Sequence, residues 1–86
     1  MFIRTQDRQK LISDSALESI KINDKGDVLG ISNKLSIHSL GSYKNNNRSM
    51  EILNEMQRAI QADYQNILSD SKILNYDSGV YIMPKE

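Results

Sequence analysis

The sequence predicts an α+β domain in which an antiparallel β-meander is packed by one long amphipathic helix. Three observations support this class: one segment with helical periodicity, several short segments with two-residue periodicity, and turn residues between them. Because the chain has only 86 residues, we expect one domain over residues 1–86. The predicted order of elements is β-β-β-β-α-β.

The helix is predicted over Asn45–Leu68, where apolar residues recur every three or four positions. Polar residues, including Glu51 and Glu55, are predicted on the solvent-facing side. At about 100° per residue, the centre of the apolar side is formed by Leu53, Met56, Ile60, Tyr64 and Ile67. We therefore expect Leu53 and Ile60 to be buried against a sheet.

Three of the predicted strands form the meander. Their segments are Leu17–Asn23, Asp27–Ser32 and Leu35–Leu40, with tight turns at Asp24-Lys25-Gly26 and Asn33-Lys34. In the first strand the two-residue period places Ala16, Ile20 and Ile22 on one face and Leu17 on the other.

The two ends of the chain are predicted to add strands. Met1–Thr5 is apolar and β-branched, and Leu11-Ile12 returns to the core after a polar turn. Lys72–Tyr76 is a candidate short strand, and Val80–Met83 is the last strand. Because Pro84 cannot donate a hydrogen bond, we expect that last strand to lie at a sheet edge or to end there.

Composition restricts the function classes. Eleven basic and eleven acidic residues balance to zero net charge, which disfavours a nucleic-acid binder that neutralises phosphates. The chain has no cysteine, so disulfides, thiolate nucleophiles and cysteine-bound zinc are excluded. No apolar run is long enough for a membrane span, and the start turns polar too early for a signal peptide. We expect a cytoplasmic protein without a cofactor.

Candidate chemistry is sparse. His38 is the only histidine, and it lies among serines without patterned carboxylates, so we interpret it as a surface residue. Glu51 and Glu55 have a spacing that could hold a metal ion, but we expect an ordinary solvated helix face. No serine lies in a nucleophile motif. We therefore predict that the protein is not an enzyme and binds no metal.

Five residues are predicted candidates for interaction. Arg4, Asp7 and Arg8 could contact a phosphate or an acidic partner, although an Arg4–Asp7 pair in a solvated turn is the favoured alternative. Ile52 and Ala59 flank the predicted apolar side of the helix, and their exposure would suit a two-fold homodimer. In the alternative, Ile52 packs under Ser69–Gly79 and the protein is monomeric.

Three motifs carry a resemblance: Ile3-Arg4-Thr5-Gln6-Asp7, Leu40-Gly41-Ser42-Tyr43-Lys44 and Val80-Tyr81-Ile82-Met83-Pro84. The chain resembles, over its whole length, small uncharacterised proteins of Gram-positive bacteria and their phages or mobile elements. These share an Ile-Arg-x-Gln-Asp start, a Leu-Gly-x-Tyr step before a helix and a Tyr-x-Met-Pro end. The resemblance implies a fold and an origin but no catalytic residues.

Two function hypotheses follow. The first is an accessory protein that acts through protein–protein contacts, as a homo-oligomer or with an unknown partner. The second is a weak nucleic-acid-binding module using a sheet face, since a strand ending in Leu-Gly-x-aromatic is similar to three-stranded DNA-binding domains of plant ethylene-response factors and integrase arms. The meander strands hold Lys21, Lys34 and His38 but neither arginine nor tryptophan, which disfavours the second hypothesis.

Overall fold

The computed structural model describes residues 1–33, 36–65, 75–77 and 79–86, and this part of the chain forms two sheets and one helix. The predicted α+β class, with a meander packed by the helix, is confirmed. The elements are β1 Phe2–Arg4, β2 Leu11–Ser13, β3 Leu17–Ile22, β4 Asp27–Ser32, β5 Ile37–Ser42, α1 Asn46–Gln65, β6 Tyr76–Asp77 and β7 Val80–Ile82.

The meander sheet has the order β3-β4-β5, with both pairs antiparallel. Gly26 closes its first hairpin at a φ of +85°, as the sequence predicts for a residue without a Cβ. A Cβ there would lie 2.7 Å from the carbonyl oxygen of Tyr43. Gly26 therefore also lets the hairpin approach the link to the helix, where the buried Ser49 hydroxyl donates to the Gly26 carbonyl at 2.6 Å.

The first meander strand departs from strict alternation. The register shifts between Leu17 and Ser19, so Glu18 is an extra residue in a bulge. Leu17 consequently contacts Gly30, which is also paired with Ile20, and the two apolar side chains share one face. The prediction that Leu17 faces away from Ile20 was wrong because a bulge reverses the alternation.

The remaining strands form a second sheet, the terminal sheet, with the order β2-β1-β7-β6. Here β1 and β7 pair in parallel, with Ile3 opposite Tyr81. The last strand therefore lies between two others within the terminal sheet and is not an edge strand. The other expected alternative holds, since the strand ends at Ile82, before Pro84. Of the candidate strand Lys72–Tyr76, all but Asn75 and Tyr76 lies outside the described residues.

The helix α1 begins directly after Asn45, whose side-chain oxygen accepts the backbone N–H of Arg48 at 2.9 Å and caps the first turn. Its described part ends at Gln65. The last predicted residues of the helix, including Ile67, and the side chain of Tyr64 lie outside the described residues. Within the described ranges, no helix has the length and apolarity to cross a membrane.

The buried side of α1 differs from the predicted one. Ile52, Met56 and Ala59 are at most 1% exposed and belong to the core, whereas Leu53 and Ile60 are half-buried. The buried side is thus rotated by about a quarter of a turn from the predicted centre, at roughly 100° per residue. The reason is that α1 packs against both sheets, so the buried residues of the helix are those that face the region between the two sheets.

Candidate interaction surface

Asp7 is used within the turn that joins β1 to β2. Its Oδ1 accepts the Thr5 hydroxyl at 2.7 Å and the backbone N–H of Gln9 at 2.9 Å. These two hydrogen bonds lower the pKa of the Asp7 carboxyl, and the bond from the Thr5 hydroxyl has the larger effect. The predicted candidate Asp7 is therefore a capping residue of its own turn.

Arg8 is likewise engaged inside the chain. Its backbone adopts a φ of +67°, and its Nη1 donates to the carbonyl oxygen of Met83 at 2.7 Å. The same nitrogen lies 3.3 Å from the carbonyl oxygens of Thr5 and Gln6. Arg8 thus ties the first turn to the end of β7, so this guanidinium has a structural role.

Arg4 is placed differently. Its Nη1 donates to the carbonyl oxygen of Arg8 at 3.1 Å, and the described ion pairs, both made by the Met1 amino group, do not include Arg4. The favoured Arg4–Asp7 pair is therefore not formed. Arg4 is exposed, and its guanidinium is bound to a backbone carbonyl of the turn between β1 and β2.

The strand register places Arg4 between two apolar residues, Leu11 and Ile82, on the outer face of the terminal sheet. Ile3 and Tyr81 are fully buried, so alternation along these strands puts their neighbours on the opposite, outer face. Across β2, β1 and β7, the outer face carries one row of Ser13, Phe2 and Val80 and a second row of Leu11, Arg4 and Ile82.

We call the residues Phe2, Arg4, Leu11, Val80 and Ile82 the terminal-sheet patch. Phe2 is 47% exposed, Leu11 49% and Ile82 39%, which is unusual for large apolar side chains that are adjacent on one sheet face. Sequence reasoning selected only Arg4 from this group. The available signal was that both terminal strands are apolar at consecutive positions, more than a sheet with one buried face requires.

The predicted homodimer surface on the helix is not exposed. Ile52 is 1% exposed and Ala59 is 0% exposed, because both contact the core between the two sheets. The expectation of an exposed flank at these residues was wrong. The proposed alternative, Ile52 under Ser69–Gly79, falls mostly outside the described residues.

Glu55, predicted on the solvated face, is buried. Its Oε1 accepts the Tyr81 hydroxyl at 2.6 Å and the Asn75 side-chain amide at 3.0 Å. Glu51 stays exposed, and the described residues contain no group of three or more potential metal ligands. Glu55 therefore links α1 to the terminal sheet, and its partner Tyr81 is too distant in sequence to be recognised from local spacing.

His38 does not lie on the solvated face either. It is half-buried and in register with Gly30, hence on the same side of the meander as Ile20. The outer face of the meander carries, within the described residues, Ser19, Lys21, Leu29, Ile31, Ile37 and Ser39. Among these described residues Lys21 is the one cation, so they form a mixed surface and not the continuous basic stripe expected of a nucleic-acid interface.

Comparison with known proteins adds no relative. No family model matches the chain, and no curated protein and no solved structure matches it significantly. The resemblance to small proteins of Gram-positive bacteria and their phages stays a prediction from three short motifs.

Proposed function

We propose that this chain is a non-catalytic interaction protein that binds a protein partner through the terminal-sheet patch. The observation that carries the proposal is the adjacency of Phe2, Leu11 and Ile82, each more than a third exposed, around one arginine. Contiguous exposed apolar surface on a small protein costs solubility, so it is typical of surfaces that are covered in a complex. Aromatic residues and arginine are also enriched where binding energy concentrates.

The charge on the patch indicates the chemistry of the partner. Arg4 is the only charged member of the patch, and its guanidinium keeps donors beyond the one bonded to Arg8. A partner that covers the patch with apolar groups alone would bury this charge without compensation, which is costly. We therefore propose a partner surface that is apolar and carries an aspartate or glutamate opposite Arg4.

Homo-oligomerisation also stays a prediction, but neither the predicted helix flank nor a free edge of β7 is available for it. Ile52 and Ala59 are buried, and β7 is enclosed by β1 and β6. A two-fold contact through the terminal-sheet patch would bring two copies of Arg4 into one apolar interface. Charge repulsion therefore favours a different protein as the partner.

The nucleic-acid alternative has less support. It requires a positive surface, whereas the chain has zero net charge and the outer meander face has only Lys21 among its described cations. Lys34 lies outside the described residues.

Site-specific photo-crosslinking in the source cells tests the proposal. A photoreactive phenylalanine is placed at Phe2, inside the patch, and at Met50, a comparably exposed position on α1, as the matched control. We expect a defined protein adduct from position 2 that is absent from position 50 and is lost in Arg4→Glu. Equal adducts at both positions, no adduct at position 2, or an adduct of twice the chain mass would contradict the proposal.

A further inference from the structure

A second surface with partly exposed apolar residues lies between α1 and β3. It is an open groove of about 640 Å³. Its lining comprises Asp14, Leu17, Glu18, Ser19 and Ile20 on the strand side and Leu53, Asn54, Met56, Gln57, Ile60 and Gln61 on the helix side. The groove thus contains the half-buried apolar residues of α1 that the helical periodicity predicted to be covered.

The bulge in β3 shapes the floor of this groove. Because Glu18 is the extra residue, Leu17 and Ile20 lie on the same face although they are three positions apart. Gly30 beneath them leaves the space that Leu17 occupies, since a Cβ at Gly30 would lie 2.9 Å from the Leu17 Cδ1. The strand therefore presents two apolar side chains, Leu17 and Ile20, to the groove that Leu53 and Ile60 also line.

The groove borders the edge of β3 that, among the described strands, is not paired. The backbone N–H of Asn23 donates to the Asp27 carbonyl at 3.1 Å, so this pair is of the hydrogen-bonded type. Along an antiparallel pair the two types alternate, and Ile22 and Ile20 are then of the non-hydrogen-bonded type relative to β4. Their N–H and C=O groups consequently point away from β4, towards the edge of β3 with which no other described strand pairs.

Charge distinguishes the two ends of the groove. Its charged lining residues are Asp14, which precedes β3, and Glu18, within β3. The helix wall contributes the neutral side chains of Asn54, Gln57 and Gln61. Asp14 pairs with the Met1 amino group at 3.4 Å, whereas Glu18 is exposed. The end of the groove near Glu18 is therefore suited to a cation.

We infer that this groove binds an extended peptide segment of another protein by strand addition to β3. The segment forms backbone hydrogen bonds with Ile20 and Ile22, places alternate apolar side chains against Leu53 and Ile60, and positions a lysine or arginine near Glu18. Edge pairing supplies affinity in this binding mode, and side-chain pockets supply specificity. The inference depends on the groove alone and is independent of the terminal-sheet patch.

The first test selects ligands without assuming their sequence. Random ten-residue peptides displayed on phage are selected against the purified full chain, and enriched peptides are synthesised. We expect apolar residues at alternate positions with a basic residue at one end, and amide shift changes in NMR spectra centred on Ile20 and Ile22. Absence of enriched peptides, or shift changes centred elsewhere, would overturn the inference.

Backbone methylation then tests the binding mode. In an added strand, only alternate peptide N–H groups face the protein. Methylating that set of nitrogens should weaken binding at least about tenfold, the loss of roughly one good hydrogen bond, whereas methylating the other set should leave it nearly unchanged. Equal effects of the two sets would show that the peptide does not pair with β3.

A pair of charge reversals tests the orientation. Glu18→Lys lies at the groove, and Asp24→Lys makes the same change at an exposed position of the β3–β4 hairpin. We expect Glu18→Lys to weaken the basic peptides about three- to tenfold and Asp24→Lys to have no effect. Identical effects would contradict the charge assignment. Because neither variant alters the patch, the Phe2 crosslink should persist in Glu18→Lys even if the groove inference fails.

Discussion

The two flanks of helix α1 differ in burial, and the difference is the reverse of what side-chain polarity suggests. On one flank Glu55, a charged residue, is buried and holds Tyr81 and Asn75 of the terminal sheet. On the other flank Leu53 and Ile60, which are apolar, border an open groove beside β3. The difference shows that burial here follows contact with the second sheet, and that the amphipathic pattern alone does not decide which side of the helix is covered.

The polar contacts on one flank and the exposed apolar residues on the other have different effects on stability. The buried carboxylate of Glu55 is compensated by two donors, so it does not carry the cost of an unpaired buried group. The open flank keeps apolar surface in water, which lowers stability and leaves the surface available for a partner. The polar link therefore stabilises the fold on one side of the helix, and the groove for which we propose a peptide ligand lies on the other side.

The largest expected effect separates the core of the helix from both flanks. Ile52→Ala removes side-chain atoms from the fully buried core and should lower the free energy of unfolding by about 2–5 kcal/mol. Chemical denaturation followed by circular dichroism measures the loss. A change below about 1 kcal/mol, the typical cost of an average substitution, would contradict the assigned core.

Removing one oxygen atom breaks a hydrogen bond on the flank of α1 that contacts the terminal sheet. Tyr81→Phe removes the hydroxyl that donates to the buried Glu55 and should lower the free energy of unfolding by about 1–3 kcal/mol. Tyr43→Phe is a matched control because it also removes a buried tyrosine hydroxyl. That hydroxyl donates to the Pro84 carbonyl at 2.7 Å and has no hydrogen bond with Glu55. Combining Tyr81→Phe with Glu55→Gln should show coupling, because the two residues share one hydrogen bond. Strict additivity would contradict the link.

The same flank predicts a pH dependence. Burial, together with the hydrogen bond to Glu55, raises the pKa of Tyr81, and burial raises that of Tyr43 to about 12. Folding therefore favours the protonated phenols, so their contribution to stability is complete below pH about 10 and is lost as the pH rises through the folded-state pKa. Unfolding free energy measured between pH 9 and 12, the interval around the ordinary tyrosine pKa of about 10, should fall less steeply in Tyr81→Phe.

The open flank should give the smallest stability effects. Leu53→Ala is expected to cost about 1 kcal/mol or less, because the half-buried side chain already contacts water. Asn54→Ala, at an exposed neighbouring position, should stay within about 0.5 kcal/mol. If Leu53→Ala instead costs as much as Ile52→Ala, the helix is rotated from the orientation described here.

Local patterns predicted the elements, and non-local contacts determined the rest. The meander and the helix follow from short-range signals, such as the Asp24-Lys25-Gly26 turn and the Asn45 cap. The parallel pairing of Ile3 with Tyr81 joins the two ends of the chain, and no short-range pattern specifies which strands pair. Because that pairing creates both the terminal-sheet patch and the partner of Glu55, sequence reasoning found Arg4 but missed its apolar neighbours.

The bulge at Glu18 is a second feature that the sequence hides. A single extra residue moves the Leu17 side chain to the other face of the sheet, and the pattern of apolar and polar residues in Leu17–Ile22 does not predict this bulge. The predicted buried side of the helix was wrong for a related reason. Ile52 and Leu53 are adjacent apolar residues, and the position of the terminal sheet determines which of the two is buried.

Solvent accessibility of individual methyl groups tests the difference between the two flanks most directly. The chain is methyl-labelled at isoleucine and leucine, and relaxation enhancement by a soluble paramagnetic agent is measured by NMR. We predict strong enhancement at Leu53, Ile60 and Ile82 and very weak enhancement at Ile52, in the order of their exposure. Equal enhancement at Ile52 and Leu53, or protection of Leu53 with exposure of Ile52, would contradict the account.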